Sequence, residues 1–327
     1  METDKLGPNI REYKQIFFKL AETFKWTDKK VLMLAASIYV THDHTFSIRQ
    51  YKELCEYIKK EAGIFSPLNS DLRFTAAALL DVHGEDVKRK YEELLHVYDK
   101  LVVHGFKKGN FTYIAALTIL TNEQLHAEDK QMSRALTIYK EMKNKHPFLT
   151  AKEDYPLAFL LSETDGEEKE VVQRVEYFYK KLSRNGFHKG NDLQFLSHIL
   201  SLDKEPEKDH LIERAVHVYE QMKHLSIKPK TLYYPEISLL SLFKEGTKEL
   251  ETIIAVKKDL DHSKHFKWNQ DINFKMAVNL SISHRLKDSS IAATGLFATI
   301  ESIMQAQQAA IMAGMVGAVA ASNSTNN

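Results

Sequence analysis

A short motif that recurs along the chain constrains the fold more than any other feature. Residues 104–110 (HGFKKGN) return almost letter for letter as residues 185–191 (NGFHKGN), with Gly186 lying 81 positions (186 − 105) after Gly105. Weaker copies of the motif lie between these two and on either side. An anchor residue precedes each turn, and the seven anchors are 39–41 residues apart: Ile16, Tyr57, Tyr98, Tyr139, Tyr179, Tyr219 and Lys258. So even a spacing predicts an array of repeated units.

Each unit has the pattern of a helix, a turn and a second helix. The apolar residues within 215–222 fall at i, i+3, i+4 and i+7, which is one face of a helix. Gly105 and Gly186 are expected to end the first helix, because glycine adopts a left-handed backbone at no steric cost. A short polar side chain after each turn is expected to cap the second helix: Thr27, Asn69, Asn110, Thr150, Asn191, Thr231 and Asn269.

These units predict an all-α fold, a solenoid of about seven helical hairpins over residues 1–287. Neither helix of a unit can cover both of its own apolar faces, so neighbouring units are expected to stack. The chain has 12 Gly and 7 Pro in 327 residues, which favours helices over many short strands. The turn phenylalanines are expected to pack back across their hairpins.

The last forty residues, 288–327, form a different region rich in Ala, Met and Gly. Its uninterrupted apolar run, residues 309–321, has 13 residues (321 − 309 + 1), too few to span a bilayer as a helix. We therefore predict a tail helix that covers the last hairpin or joins two chains by self-association. The polar end, residues 322–327, is expected to be disordered.

Composition narrows the class of protein. The 45 Lys and Arg residues balance 44 Asp and Glu residues, so no global field attracts nucleic acid or a membrane, and neither is an expected partner. The single Cys55 fits a reducing compartment, and the N-terminus lacks the apolar core of a signal peptide. A cytoplasmic location is the expectation.

Charge is nevertheless distributed unevenly between the two kinds of loop. The connections between units are acidic, as in residues 163–170, and the turns within units are basic. Because the two loop sets are expected at opposite edges of a solenoid, one edge should be positive and the other negative. The alternative explanation is that charged loops only keep the array soluble. The candidate partner-binding residues on the basic edge are Lys107, Lys108, His188, Lys189, Lys228 and Lys230.

No pattern points to catalysis or to a cofactor. The pair of glycines at 105 and 109 lacks the Gly-Lys-Ser/Thr ending and the preceding strand of a phosphate loop. His42 and His44 would need a third metal ligand that the neighbouring sequence does not supply. Cys55 lies on a predicted core helix, where burial is expected. The prediction is a protein that is not an enzyme and binds no cofactor.

Two resemblances add to this interpretation. Residues 214–223, followed by Ile227-Lys228-Pro229, resemble a pentatricopeptide or tetratricopeptide type of helical hairpin. In the pentatricopeptide family a polar residue early in the second helix reads an RNA base. The matching positions here are Ile114, Phe195 and Pro235, which cannot form hydrogen bonds with base edges. The resemblance therefore implies the hairpin and not the RNA code.

The chain as a whole is similar to an uncharacterised bacterial family, a domain of unknown function. That resemblance implies no established activity, catalytic residue or ligand. The segments that carry it are residues 24–26 (FKW), 32–36 (LMLAA), 65–68 (FSPL), 73–74 (RF) and the Ala/Met-rich tail.

The sequence is compatible with three functions. A non-enzymatic scaffold that binds an unknown protein or peptide is the leading hypothesis, since a repeat array offers an extended surface. Binding of nucleic acid along the basic edge is the first alternative. An enzyme of unknown type is the second.

Overall fold

The computed structural model of the chain describes residues 2–122, 125–203, 207–243, 246–287 and 311, and these ranges contain fourteen α-helices and no strand. The odd-numbered helices are α1 Glu2–Thr23, α3 Ile48–Glu61, α5 Val87–Val103, α7 Asp129–Lys145, α9 Glu168–Arg184, α11 Lys208–His224 and α13 Glu249–His262. The even-numbered helices are α2 Lys29–Thr41, α4 Leu72–Val82, α6 Asn110–Thr121, α8 Tyr155–Ser162, α10 Asn191–Leu202, α12 Tyr234–Ser241 and α14 Gln270–Lys287. The all-α prediction is confirmed.

The helices pack as consecutive pairs. Each odd-numbered helix contacts the even-numbered helix that follows it, and the turn between them lies where the repeat motif predicts it. Single turns of 3-10 helix precede some second helices, as at Pro67–Asn69 and Lys152–Asp154.

The two members of a pair have different sequences because they occupy different layers. The even-numbered helices are buried on nearly all sides, and every residue of α8 is buried. The odd-numbered helices are amphipathic: in α9 Val172, Val175, Phe178 and Leu182 are buried while the opposite face is exposed. The even-numbered helices therefore form an inner layer and the odd-numbered helices an outer layer.

The first and last pairs contact each other, which the predicted solenoid of about seven hairpins did not include. Helix α14 packs against α2, and the hydroxyl of Ser283 donates to the carbonyl of Thr41 at 2.9 Å. The ammonium of Lys14 lies 2.7 Å from a carboxylate oxygen of Asp259. The inner helices thus form a closed ring. An open array would leave the apolar faces of α2 and α14 in water, and closure buries both.

The inner helices run in the same direction around this ring. At their C-terminal ends the rings of His42 and His83, after α2 and α4, are 4.7 Å apart. At their N-terminal ends the backbone N–H of His188 donates to the hydroxyl of Tyr234 at 2.9 Å. The ring therefore has two edges. We call them the turn edge, with the turns inside the pairs, and the connection edge, with the links between pairs.

Local details of the turns were predicted only in part. Gly105 and Gly186 adopt positive φ angles of 101° and 91°, as expected for helix stops. The expected asparagine caps at 110 and 191 are wrong, because both residues already lie inside the helix and Gly109 and Gly190 hold the cap position.

The turn phenylalanines differ in burial, and Phe24 is partly buried against the core. Phe106, Phe187 and Phe266 are buried as predicted, whereas Phe65 and Phe148 are 99% and 97% exposed. In the turn of Phe65 the buried side chain is instead that of Leu68, three residues later. The second helix of that pair begins later, at Leu72, and this shift changes which side chain faces the core.

Replacing Gly186 with alanine is expected to lower the unfolding free energy by roughly 1–2 kcal/mol. A Cβ at this position would meet no atom within 4 Å, so the loss reflects only the positive φ. Gly63 is the matched control, since a Cβ there also meets nothing within 4 Å and no left-handed φ is required. Urea unfolding of both variants measures the difference. Equal effects of the two substitutions would contradict the assigned turn geometry.

The predicted tail, residues 288–327, lies outside the described residues apart from Ile311. That side chain is buried, at 7% exposure. The division into residues 1–287 and 288–327, the tail helix, the disordered end and self-association through the tail stay predictions.

Candidate functional site

The six candidate residues of the basic edge are all exposed and all lie on the turn edge. Lys107 and Lys108 are in the turn between α5 and α6, and His188 and Lys189 are in the turn between α9 and α10. Lys228 and Lys230 follow α11.

A shallow groove brings two of these residues together. His188 and Lys228 line a cavity of about 420 Å³ between neighbouring turns, together with Tyr219, Lys223, Ser226, Ile227 and Pro229. No carboxylate is among the lining residues. The side chains of His188 and Lys228 form no hydrogen bond or ion pair with another residue in the described ranges. The groove therefore presents cationic and hydrogen-bonding groups to a ligand.

The wall of the groove is held in place by aromatic packing. The ring of Tyr219 lies 4.7 Å from that of Phe187 and 6.4 Å from that of Tyr234. The ammonium of Lys223 lies 4.4 Å from the centre of the Tyr219 ring and donates to Glu220 at 2.8 Å. Sequence analysis missed Lys223, although its position four residues after the repeat anchor Tyr219 places it next to the turn.

The remaining candidates are not gathered into this groove. Lys230 forms an ion pair with Asp271 at 2.6 Å, so its charge is partly neutralised. Lys107, Lys108 and Lys189 are exposed on their own turns and do not line it.

The connection edge carries an arginine series that sequence analysis also missed. The guanidinium of Arg134 donates to the carbonyls of Ser162 and Thr164 at the end of α8. Arg174 donates to the carbonyl of Asp203 after α10, and Arg214 to that of Ser241 in α12. Each arginine satisfies terminal carbonyls of the inner helix in its own pair. The sequence feature that could have revealed this series is the even spacing of 40 residues between the three arginines.

Histidines also gather at the connection edge. Besides His42 and His83, His44 lies with its ring 5.9 Å from that of Tyr39. Burial is the main cause that lowers the pKa of His83 to about 4, and the neighbouring basic side chains of His42, Lys90 and His44 lower it further. Within the described ranges no group of three or more His, Cys, Asp or Glu residues has the geometry to hold a metal ion.

Cys55 is buried as predicted, at 2% exposure. Burial raises the pKa of its thiol to about 12, so the thiolate that nucleophilic chemistry requires is not populated at neutral pH.

Comparison with known families supplies the identification. The profile of a family described as "Protein of unknown function (DUF4003)" matches residues 16–309, which is most of the chain. The chain belongs to the DUF4003 family. The predicted membership of a domain-of-unknown-function family is thereby confirmed.

One relative matches this DUF4003 chain over nearly its full length. The chain is 35% identical to "Uncharacterized protein YeaA" of Bacillus subtilis over 327 residues, covering 99% of this chain and 98% of the relative. A partial similarity, 28% over 138 residues, links 41% of the chain to 78% of a dihydrofolate reductase of Lactococcus lactis. No solved structure matches. Among the helices described for this DUF4003 member, none has the length and apolar character required to cross a membrane.

One inner-helix residue of this DUF4003 member, His198, is expected to lower stability in acid. His198 in α10 is fully buried, and neither ring nitrogen has a hydrogen-bond partner among the described residues. Burial, with a smaller effect of His146, lowers its pKa to about 3. The unfolded chain therefore binds a proton between about pH 6.5 and 3 that the folded chain does not, and stability falls as pH falls through this window.

His198→Leu is expected to remove about 2–3 kcal/mol of the stability loss between pH 7.5 and pH 4.5. The difference between variant and parent isolates this residue, since the other titrating groups are shared. His217→Leu on the exposed face of α11 is the control. Urea unfolding at both pH values measures the effect. Parallel pH curves for the parent and His198→Leu would contradict it.

Proposed function

We propose that this chain is a non-enzymatic scaffold of the cytoplasm that holds an acidic peptide segment of a partner protein at its turn edge. The observation that carries the proposal is the groove between the turns at His188 and Lys228. Its described lining holds no carboxylate and has two basic side chains, His188 and Lys228, beside Lys223, which is paired with Glu220. Tyr219 and Ile227 give it an aromatic and an aliphatic wall.

The groove fits an extended chain with carboxylates better than it fits a small metabolite. It is shallow and open rather than enclosed, whereas small-molecule sites bury most of their ligand. Lysine and histidine placed along a groove can pair with successive carboxylates of a peptide, and these rim charges set specificity and association rate. The closed ring supplies a rigid support, since both neighbouring turns rest on buried aromatic side chains.

The proposal predicts binding of a fluorescein-labelled oligoglutamate peptide, measured by fluorescence anisotropy on the full chain. Affinity should fall as salt is added, and Lys228→Glu should weaken binding by roughly tenfold or more. Lys169→Glu is the matched control, since Lys169 is exposed at the connection edge and undergoes the same change of charge. An unchanged anisotropy at low salt, or equal loss in both variants, would contradict the proposal.

A labelled single-stranded RNA of mixed sequence is the competing probe. RNA binding that is steeply salt-dependent, and lost when Lys107, Lys108 and Lys189 are all changed to alanine, would favour the nucleic-acid alternative. Retention of peptide binding in that triple variant supports the groove as the peptide site.

Catalysis at the connection edge is a second candidate function. It is favoured by His42 and His83, which are only partly exposed and in ring contact, with the pKa of His83 far below its usual range. Hydrolysis of p-nitrophenyl acetate and p-nitrophenyl phosphate is the first screen. Turnover that His83→Ala abolishes and His217→Ala leaves intact would replace the scaffold proposal.

A further inference from the structure

The two tryptophans of the chain both project into solvent from the turn edge. Trp26, between α1 and α2, is 100% exposed, and Trp268, between α13 and α14, is 82% exposed. Phe65 and Ile64, between α3 and α4, are 99% and 87% exposed. Moving a large apolar side chain out of water is favourable. Four such residues at loop tips on one edge therefore indicate a surface that contacts another molecule in use.

Ring closure places these three turns next to one another. The turn before α14 contacts α1, where the rings of Phe266 and Phe17 are 4.5 Å apart. The turn before α2 contacts α4, where the rings of Phe24 and Phe74 are 4.9 Å apart. The exposed residues therefore follow one another around the edge. We call Trp26, Ile64, Phe65 and Trp268 the aromatic arc.

Lysines flank the aromatic arc, and two of the carboxylates beside it, Asp28 and Asp271, are engaged by the protein. Asp28 accepts from the backbone N–H of Lys30 at 2.8 Å, and Asp271 accepts from Lys230 and from Tyr233. The ammonium of Lys267 lies 4.9 Å from the Trp268 ring centre. In the described part of the chain, none of the flanking lysines forms an ion pair. They are exposed in the turns that hold the two tryptophans or at the start of α2: Lys25, Lys29, Lys30, Lys264 and Lys267.

We propose that the aromatic arc inserts into the headgroup region of an anionic lipid bilayer while the flanking lysines contact lipid phosphates. Tryptophan favours this region because its ring is apolar and its N–H is a donor. Lysine is attracted by the negative surface potential of anionic lipids. The arc consists of separate side chains at the tips of successive turns, which suits a planar surface. A peptide instead needs a groove, such as the one at Lys228.

This inference goes beyond the proposed function, because it concerns other turns and another class of partner. It also departs from the expectation, based on the balanced net charge, that a membrane is not a partner. The attachment is peripheral, through side chains at one edge. A scaffold attached in this way would hold its peptide partner beside the membrane.

The test uses the intrinsic fluorescence of the full chain, since both tryptophans belong to the arc. Vesicles of phosphatidylcholine mixed with phosphatidylserine should shift the emission to the blue and protect it from iodide. Vesicles of phosphatidylcholine alone should have a much weaker effect. An unchanged emission spectrum with anionic vesicles, or an equal response to both vesicle types, would overturn the proposal.

Co-sedimentation with the same vesicles tests whether the two tryptophans of the arc contribute to membrane binding. Changing Trp26 and Trp268 together to alanine should weaken binding to the anionic vesicles by at least about tenfold. Phe148→Ala, an equally exposed aromatic on a turn outside the arc, should leave it unchanged. Because all three residues are exposed, unaltered circular dichroism melting is expected for both variants. Partition retained in the double variant, or a blue shift produced by single-stranded RNA and not by vesicles, would overturn the assignment.

Discussion

Phe266→Ala is expected to lower the unfolding free energy by about 3–5 kcal/mol, the range for truncating a fully buried phenylalanine. Phe266 is 0% exposed, and its ring lies 4.5 Å from that of Phe17 and 5.7 Å from that of Tyr13. These two partners are in α1, at the other end of the chain. The substitution therefore leaves a cavity at the contact that closes the ring.

The control for this prediction is Phe148→Ala, which truncates the turn phenylalanine of another repeat. Phe148 is 97% exposed, so its loss creates no cavity and should change stability by less than about 0.5 kcal/mol. Urea unfolding followed by circular dichroism measures both variants. Similar stability of the two variants would mean that the contact between the first and last pairs does not support the fold.

Lys275→Met is expected to lower the unfolding free energy by a similar amount, about 3–5 kcal/mol, because it leaves a buried carboxylate without its partner. The ammonium of Lys275 lies 3.3 Å and 3.4 Å from the two oxygens of Glu236 and donates to the carbonyl of Leu232 at 2.7 Å. Glu236 is 1% exposed. Burial raises the pKa of Glu236, and Lys275 opposes that rise.

The pH dependence of the Lys275→Met effect follows from the same balance. Without Lys275 the pKa of Glu236 is higher still in the folded chain, so the folded state binds a proton that the unfolded chain has released. The destabilisation should therefore be largest above the raised pKa and shrink as pH falls. Adding Glu236→Leu should recover part of the loss, since the unpaired charge is removed.

Lys230→Met is the matched control for the buried pair, because Lys230 and Asp271 join the same two parts of the ring at the surface. Both side chains are more than 40% exposed, and the expected effect is below about 1 kcal/mol. Urea unfolding across pH measures all three variants. A loss for Lys275→Met no larger than that for Lys230→Met would contradict the role of the buried pair.

The helices and turns could be predicted from sequence because their signals are local. Gly105 and Gly186 end helices at positive φ, and the period of about 40 residues locates every pair. Burial of individual turn residues was less predictable. Phe65 and Phe266 occupy equivalent repeat positions, yet one is exposed and the other buried, because the start of the next helix relative to the turn decides which side chain faces the core.

Ring closure was not predictable from the period alone. Closure depends on the small rotation between successive pairs, and packing angles set that rotation in a way no single residue type signals. The pairing of Lys14 with Asp259, 245 positions apart, is a result of it. The candidate site was predicted as a set of exposed basic residues. The grouping of His188 with Lys223 and Lys228, and the aromatic arc, depend on which turns become neighbours.

The closed ring underlies both proposed surfaces, and zero-length cross-linking tests it most directly. The Lys14 ammonium lies 2.7 Å from Asp259, whose side chain is 53% exposed and open to a carbodiimide. We predict an amide link between these two residues in the monomer fraction, found by mass spectrometry of the digested chain and absent from the Lys14→Arg variant. A monomer that yields other carbodiimide links but never this one would contradict the closed ring.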